Sequence, residues 1–246
     1  MLDIHAHCFM VGKCIEEIRD MIVVESGLNY ETNEIVLEES KQENVYFSAG
    51  LHPTEVVKLS ELEIEKTIKQ IKNLCENSKC IGVGEIGLDY YWHKDKKEID
   101  KQKHYFRKLL ELAESIKKPV IIHSRDAELD CLEIMESYNI KAVMHSFMPK
   151  KDWKIALNKA LDLGYYISIP AIIVKNKRLK KIARDTPLEK MFTETDSPFL
   201  DPEGNRNNRP YKVKYAIEEI AKIKGLDFEE VESQIDKNFN ELLNLN

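Results

Sequence analysis

Two histidines, His5 and His7, stand at the end of the apolar run that opens the chain. In an extended strand successive side chains alternate, so both imidazoles project from one face and can grip a single cation. Asp3 shares that face one step earlier, where it could accept the second ring N–H of a ligating histidine and fix its tautomer. Further apolar runs end in the same way, on Gly82-Val83-Gly84-Glu85, on His123, on His145 and on Thr195-Asp196-Ser197-Pro198. Neutral imidazoles mixed with carboxylates suit a borderline divalent metal. A lone His-x-His pair or a lone strand-end histidine carries little weight, but six such residues closing five runs point to a metal centre built from His5, His7, Glu85, His123, His145 and Asp196.

The elements that must position these residues follow from the periodicity. Short apolar runs at 1–5, 21–25, 45–51, 80–85, 119–123, 141–145, 165–169 and 191–195 alternate with longer amphipathic stretches, clearest at 61–76, 100–117, 127–138, 151–163 and 211–224. That alternation is the signature of repeated βα units. Continuous apolar runs such as Val120-Ile121-Ile122 suit strands buried on both faces of a parallel sheet. Eight of them favour a closed (β/α)8 TIM-like barrel over an open sheet. No linker divides the chain, so residues 1–246 are read as one barrel domain, with an extra helix over about 227–245 after the eighth unit. The first unit is cramped, with room for about four helical turns between His7 and Ile22. Parallel α/β folds gather their chemistry at the carboxyl ends of the strands. His5, His7, His52, His123 and His145 fall there, whereas His93 and His104 do not.

Composition narrows the classes. With 43% apolar and 33% charged residues the 246-residue chain has material for a core and is not a disordered polyelectrolyte. Five scattered cysteines, no Cys-x-x-Cys pair and no secretory apolar segment lead us to expect a reducing cytoplasm. No run approaches the roughly 20 apolar residues of a membrane span, so no membrane association is expected. A formal net charge of −6 argues against an extended basic surface wrapped around duplex nucleic acid, so a polyanionic substrate must be attracted locally. The basic runs at 94–97 and 177–181 are read as solvated loop or helix faces.

Six motifs together, Asp3-Ile4-His5-Ala6-His7, Gly50-Leu51-His52-Pro53, Gly84-Glu85-Ile86-Gly87-Leu88-Asp89, Ile122-His123-Ser124-Arg125-Asp126-Ala127, Met144-His145-Ser146-Phe147 and Glu194-Thr195-Asp196-Ser197-Pro198, resemble in order and spacing the TatD-like metal-dependent DNases of the amidohydrolase superfamily. The resemblance runs from the first residues to about Asn238. It implies a TIM-like barrel and two divalent ions, zinc, manganese or magnesium, held by His5, His7, Glu85, His123, His145 and Asp196, with Glu85 bridging. It also implies hydrolysis of DNA, at ends or in single strands, with no obligate protein partner. The chain departs from the family pattern after Phe147, where Met148-Pro149-Lys150 replaces a usual glycine. It departs again in its short first unit, and in Arg206-Asn207-Asn208-Arg209-Pro210, which is one residue out of register.

The expected chemistry is attack by a metal-bridging hydroxide, formed because two adjacent divalent ions lower the pKa of a shared water. Asp196 is the expected proton acceptor and, with Glu85, one of the two catalytic carboxylates. Arg125 either clamps a phosphate oxygen in bidentate fashion or forms a rim ion pair with Asp126 or Glu128. His52 either contacts substrate or caps its loop. Two rival functions follow from the same residues. One is another hydrolase of the superfamily acting on a lactone, amide or phosphoester, and the other is a non-catalytic metal-binding barrel.

Overall fold

Each of the eight apolar runs forms a strand: β1 Leu2–Ala6, β2 Ile22–Ser26, β3 Val45–Ala49, β4 Cys80–Asp89, β5 Val120–Arg125, β6 Ala142–Met144, β7 Tyr166–Pro170 and β8 Met191–Glu194. The structure is a computed structural model describing residues 1–12, 14–18, 20–205 and 207–244, so Arg206 and the last residue of the expected 227–245 helix lie outside the described residues. The strands pair in chain order, every pair parallel. Val120, Ile121 and Ile122 are fully buried, as expected for strands covered on both faces.

The sheet closes on itself beyond β8. The Asp196 N–H donates to the His5 carbonyl (3.0 Å) and the His7 N–H to the Ser197 carbonyl (2.8 Å). Asp3, fully buried, accepts the Thr195 backbone N–H (2.9 Å) and hydroxyl (2.5 Å) across the same seam. This corrects the role expected of Asp3, which reaches no histidine ring nitrogen and instead ties the first strand to the last. The result is a (β/α)8 barrel with its strand ends gathered at one rim.

Nine α-helices occur among the described residues: α1 Tyr30–Glu39, α2 Pro53–Lys58, α3 Glu61–Leu74, α4 Lys96–Ser115, α5 Glu128–Met135, α6 Trp153–Asp162, α7 Lys177–Asp185, α8 Lys214–Lys224 and α9 Phe228–Leu243. Their starts are chemically marked. Ser60 and Glu63 form a reciprocal capping box on α3, and Asn176 accepts two backbone N–H groups at the start of α7. The extra helix α9 follows the eighth unit, and its buried Asn238 donates to the carbonyls of Leu188 and Met191 (2.8 and 2.7 Å), fixing the entry into β8.

The first unit differs from expectation. Its connection holds two 3-10 turns, Cys8–Met10 and Ile15–Glu17, in place of an α-helix, and these bring Cys8 and Cys14 into a disulfide. Cys75, Cys80 and Cys131 are buried thiols. The odd, scattered cysteine count gave no sign of this pairing, because disulfide connectivity cannot be deduced from cysteine positions alone. No helix among the described residues is long and apolar enough to cross a membrane.

Candidate metal centre

The six residues singled out by type and spacing converge at the carboxyl rim of the barrel, and Glu85 lies between two groups of them. Its Oε2 faces His5 Nε2 (3.4 Å) and His7 Nε2 (3.6 Å). Its Oε1 faces His123 Nδ1 (2.6 Å) and His145 Nε2 (3.7 Å). Asp196 Oδ1 is shared as well, 3.7 Å from His5 Nε2, 3.6 Å from His7 Nε2 and 3.9 Å from His145 Nε2. The sets His5/His7/Asp196 and His5/Glu85/His145 each present ligand atoms within 4.8 Å of one another. A third set, His52/Glu85/His123, does the same.

Tautomers, read from the outer hydrogen bonds, decide which nitrogens are free for a cation. His7 Nδ1 lies 2.9 Å from the Ser26 carbonyl, which can only accept, so Nδ1 carries the proton and Nε2 turns its lone pair inward. His145 Nδ1 is held by Glu194 (3.1 Å), so Nε2 is the nitrogen that faces the centre and gives up its proton to a cation. His5 and His7 meet Nε2 to Nε2 at 3.1 Å, so one proton joins two atoms whose lone pairs both suit a cation. Ser26 Oγ anchors the far side of the His5 ring at 3.0 Å. His52 behaves differently. Its Nδ1 accepts the Thr54 N–H (3.2 Å) at the start of α2, so the neutral ring carries its proton on Nε2 and presents a donor to the site. Burial, reinforced by the charge of His123, pushes His52 down to about 3 and keeps it neutral. Of the two readings of His52, the loop cap is therefore observed, and the ring still faces the cavity.

The electrostatics fit a cation binder. Burial opposes charge on every group here, yet the carboxylates outweigh it at two histidines. Bonds to Asp89 and Glu85 raise His123 to about 9, and Glu194, Glu85 and Asp196 raise His145 to about 10. Glu85 is held well below the usual carboxylate range against its burial by the imidazoles around it, of which His145 and the hydrogen-bonded His123 carry the charge. His5 is lowered by burial and by His145, whose ring stacks on it at 3.6 Å. A field that keeps protons on buried imidazoles also suits a divalent ion in their place.

Three positioning residues were not singled out from the sequence. Asp89, at the end of β4, takes the other side of the His123 ring (Nε2 to Oδ2 3.0 Å) and also accepts the N–H groups of Tyr91 and Trp92. Glu194 holds His145 and the Ser146 N–H. Asn208 donates to the carbonyls of Thr195 and Phe199 (2.7 Å each), bracing the turn that carries Asp196. The quoted motifs contained Asp89 and Glu194, so their signal was the acidic residue fixed beside each ligand. Backbone approach explains the glycines. A Cβ on Gly50 would lie 2.2 Å from the Glu85 nitrogen, and one on Gly87, at φ +143°, would lie 1.9 Å from the His123 carbonyl oxygen.

The centre opens into a cavity of about 700 Å³, walled by Trp92, Arg125, Lys150, Arg178 and Phe199 among others. The Arg125 guanidinium carbon lies over the Tyr91 ring, 3.9 Å from its centroid, while Asp126 pairs with Lys150 (2.9 Å). The expected rim pair of Arg125 with Asp126 or Glu128 is not formed among the described residues. Arg125 lines the cavity of the centre.

A family profile described as TatD related DNase matches residues 2–244. The chain belongs to that family. A metal-dependent hydrolase of Methanocaldococcus jannaschii is 34% identical over 245 residues, covering 96% of this chain and 94% of the relative. The human deoxyribonuclease TATDN3 is 27% identical over 185 residues, 74% of this chain and 66% of that protein. In fold, the chain is similar to the crystal structure of a TatD homologue from Escherichia coli, with a TM-score of 0.86, 21% identity and 99% and 98% of the two chains covered. This TatD family member is a metal-dependent hydrolase by family, and its barrel rim carries candidate ligand sets for the metal.

Proposed function

We propose that the protein is a deoxyribonuclease that hydrolyses phosphodiester bonds at DNA ends or in single strands, with two divalent ions bridged by Glu85. The observation carrying this reading is the division of Glu85, one oxygen toward His5 and His7 and the other toward His123 and His145. His5, His7 and Asp196 would hold one ion, and Glu85 with His123 and His145 would hold the other. When bound, divalent ions supply Lewis acidity, acidifying a water and offsetting charge on a phosphoryl oxygen. Asp196, whose turn is braced by Asn208, would accept the proton of the attacking water at Oδ2, the oxygen it does not turn to the histidines. The His52 Nε2–H donates to a substrate oxygen, and Arg125, stacked on Tyr91, offers a planar pair of donors to a phosphate. The relative named as a deoxyribonuclease supports this choice of substrate.

The test is a substrate screen. Metal-reconstituted protein is assayed on labelled single-stranded DNA, nicked duplex, RNA, lactones and amides, each with and without chelator. Chelator-sensitive cleavage of DNA is expected. Turnover confined to the lactones or amides would replace this reading by that of a small-molecule hydrolase.

A further inference from the structure

A second cavity, of about 580 Å³, lies beside the first and shares Asn176 and Arg178 with it. Its other walls are Lys175, Lys177, Lys181, Trp153 and Ile172, so four cations line it and no carboxylate does. Lys175, Lys177, Arg178 and Lys181 make no ion pair among the described residues, whereas their neighbour Lys180 is paired with Glu219 (2.6 Å). Uncompensated cations around a hollow repel one another, and here the repulsion is compounded. Lys177 and Arg178 sit in the first turn of α7, which carries no acidic residue, although the positive end of a helix dipole disfavours cations there. Violations of local stability rules of this kind concentrate at functional sites, where an anionic ligand relieves them.

We propose that this cavity binds the backbone phosphates of single-stranded DNA running away from the bond being cleaved, an inference that rests on the nuclease reading above. Continuity through Asn176 and Arg178 gives the strand a path from the metal centre into the basic cavity. Trp153 supplies an aromatic wall on which a base can stack, and a basic groove with an aromatic platform is the general solution for single strands. The charge is local, which is how a chain of net charge −6 can hold a polyanion without a basic surface elsewhere. The run at 177–181 is thus assigned a ligand, while the run at 94–97, exposed and lining neither cavity, remains a solvated face.

The test compares Lys175→Ala/Lys177→Ala/Lys181→Ala with Lys94→Ala/Lys96→Ala/Lys97→Ala, which removes the same charge elsewhere. Binding of a fluorescent dodecathymidylate with phosphorothioate linkages is followed by anisotropy against salt on metal-loaded protein. Turnover of bis(p-nitrophenyl) phosphate, too small to span both cavities, is measured in parallel, and melting curves establish that both variants are folded. Three lost phosphate contacts reduce the salt slope by about 2 and weaken binding by about 30- to 100-fold near 0.1 M salt. The 94–97 variant should stay within about threefold of wild type, and both should turn over the small diester normally. The proposal is overturned if wild type does not bind the oligonucleotide, if the 175/177/181 variant binds as tightly as wild type, or if both variants lose affinity equally. Selective loss of binding in a protein that cleaves no DNA with any metal would uphold the strand-binding cavity and refute the nuclease reading alone.

Discussion

Replacement of Glu85 by glutamine tests the bridging role most directly. The amide keeps the shape of the side chain but presents an oxygen to one group of histidines and an NH2 to the other. In the present geometry one face of Glu85 lies 3.4 and 3.6 Å from His5 and His7, and the other 2.6 and 3.7 Å from His123 and His145. On the proposed two-ion reading, one of these faces should therefore lose its ion. The magnitude follows from burial, since Glu85 is 2% exposed. Unit charges about 4 Å apart interact by about 4 kcal/mol at an effective dielectric near 20, and breaking a buried pair by removing one partner costs about 3–5 kcal/mol. At about 1.4 kcal/mol per power of ten, the affected ion binds about 10²- to 10⁴-fold more weakly. Elemental analysis after dialysis at metal concentrations that saturate wild type should give two ions per wild-type chain and one per Glu85→Gln chain. Melting offers a second readout. Metal at 100 times its dissociation constant stabilises wild type by about 2.7 kcal/mol per site, and the variant should lose nearly all of that for one site. Two ions retained at wild-type affinity in Glu85→Gln would refute the bridge.

Three other outcomes are expected. Asp196→Asn should lower kcat by about 10²- to 10⁴-fold at saturating metal, the usual cost of removing a general base, with an unchanged circular dichroism spectrum; near wild-type kcat in the folded variant would remove Asp196 from that role. Metal affinity should rise with pH: His123 and His145 have folded values near 9 and 10 against an ordinary 6.5, so their protonated form stabilises the metal-free protein fully below about pH 6.5 and fades as pH climbs through 9 and 10. A cation must displace both protons, so the affinity of the Glu85/His123/His145 face should gain up to about two log units per pH unit below pH 9, which chelator competition at several pH values measures, and a flat profile would contradict the proton inventory. Finally, Ellman titration of denatured, unreduced protein should find the three thiols of Cys75, Cys80 and Cys131, and five after reduction; five before reduction would exclude the Cys8–Cys14 bond.

All eight strands were legible because each holds a short apolar run between longer amphipathic stretches, a signal that needs no knowledge of the partner strand. Helices were legible only where one face is apolar over several turns, as in α4 with Tyr105, Phe106, Leu109, Leu110 and Ala113 buried. Helix α1 buries only Asn33 and Val36, α2 has six residues, and α7 hides Leu179, Ile182 and Ala183 among lysines and arginines, so none stood out. The ligand types could be read because each closes a strand. Which residue braces which ring could not, since Glu194 meets His145 across 49 positions and Asp3 meets Thr195 across 192. Such pairings exist only once the barrel has closed.

The seam between β1 and β8 bears on how the protein matures. His5 and His7 belong to the first strand and its end, and Asp196 follows the eighth, yet they surround the same point. A chain interrupted before β8 has the histidines but neither Asp196 nor the carbonyl of Ser197 that fixes the His7 backbone. On the proposed ligand set, tight metal capture would have to wait for the eighth strand, and a cation held there would act as a clasp on a loop of nearly the whole barrel. Loss of the ion would loosen the join of first and last strand before it disturbed the interior. In a cell, metal loading would mark the difference between a finished barrel and a truncated one.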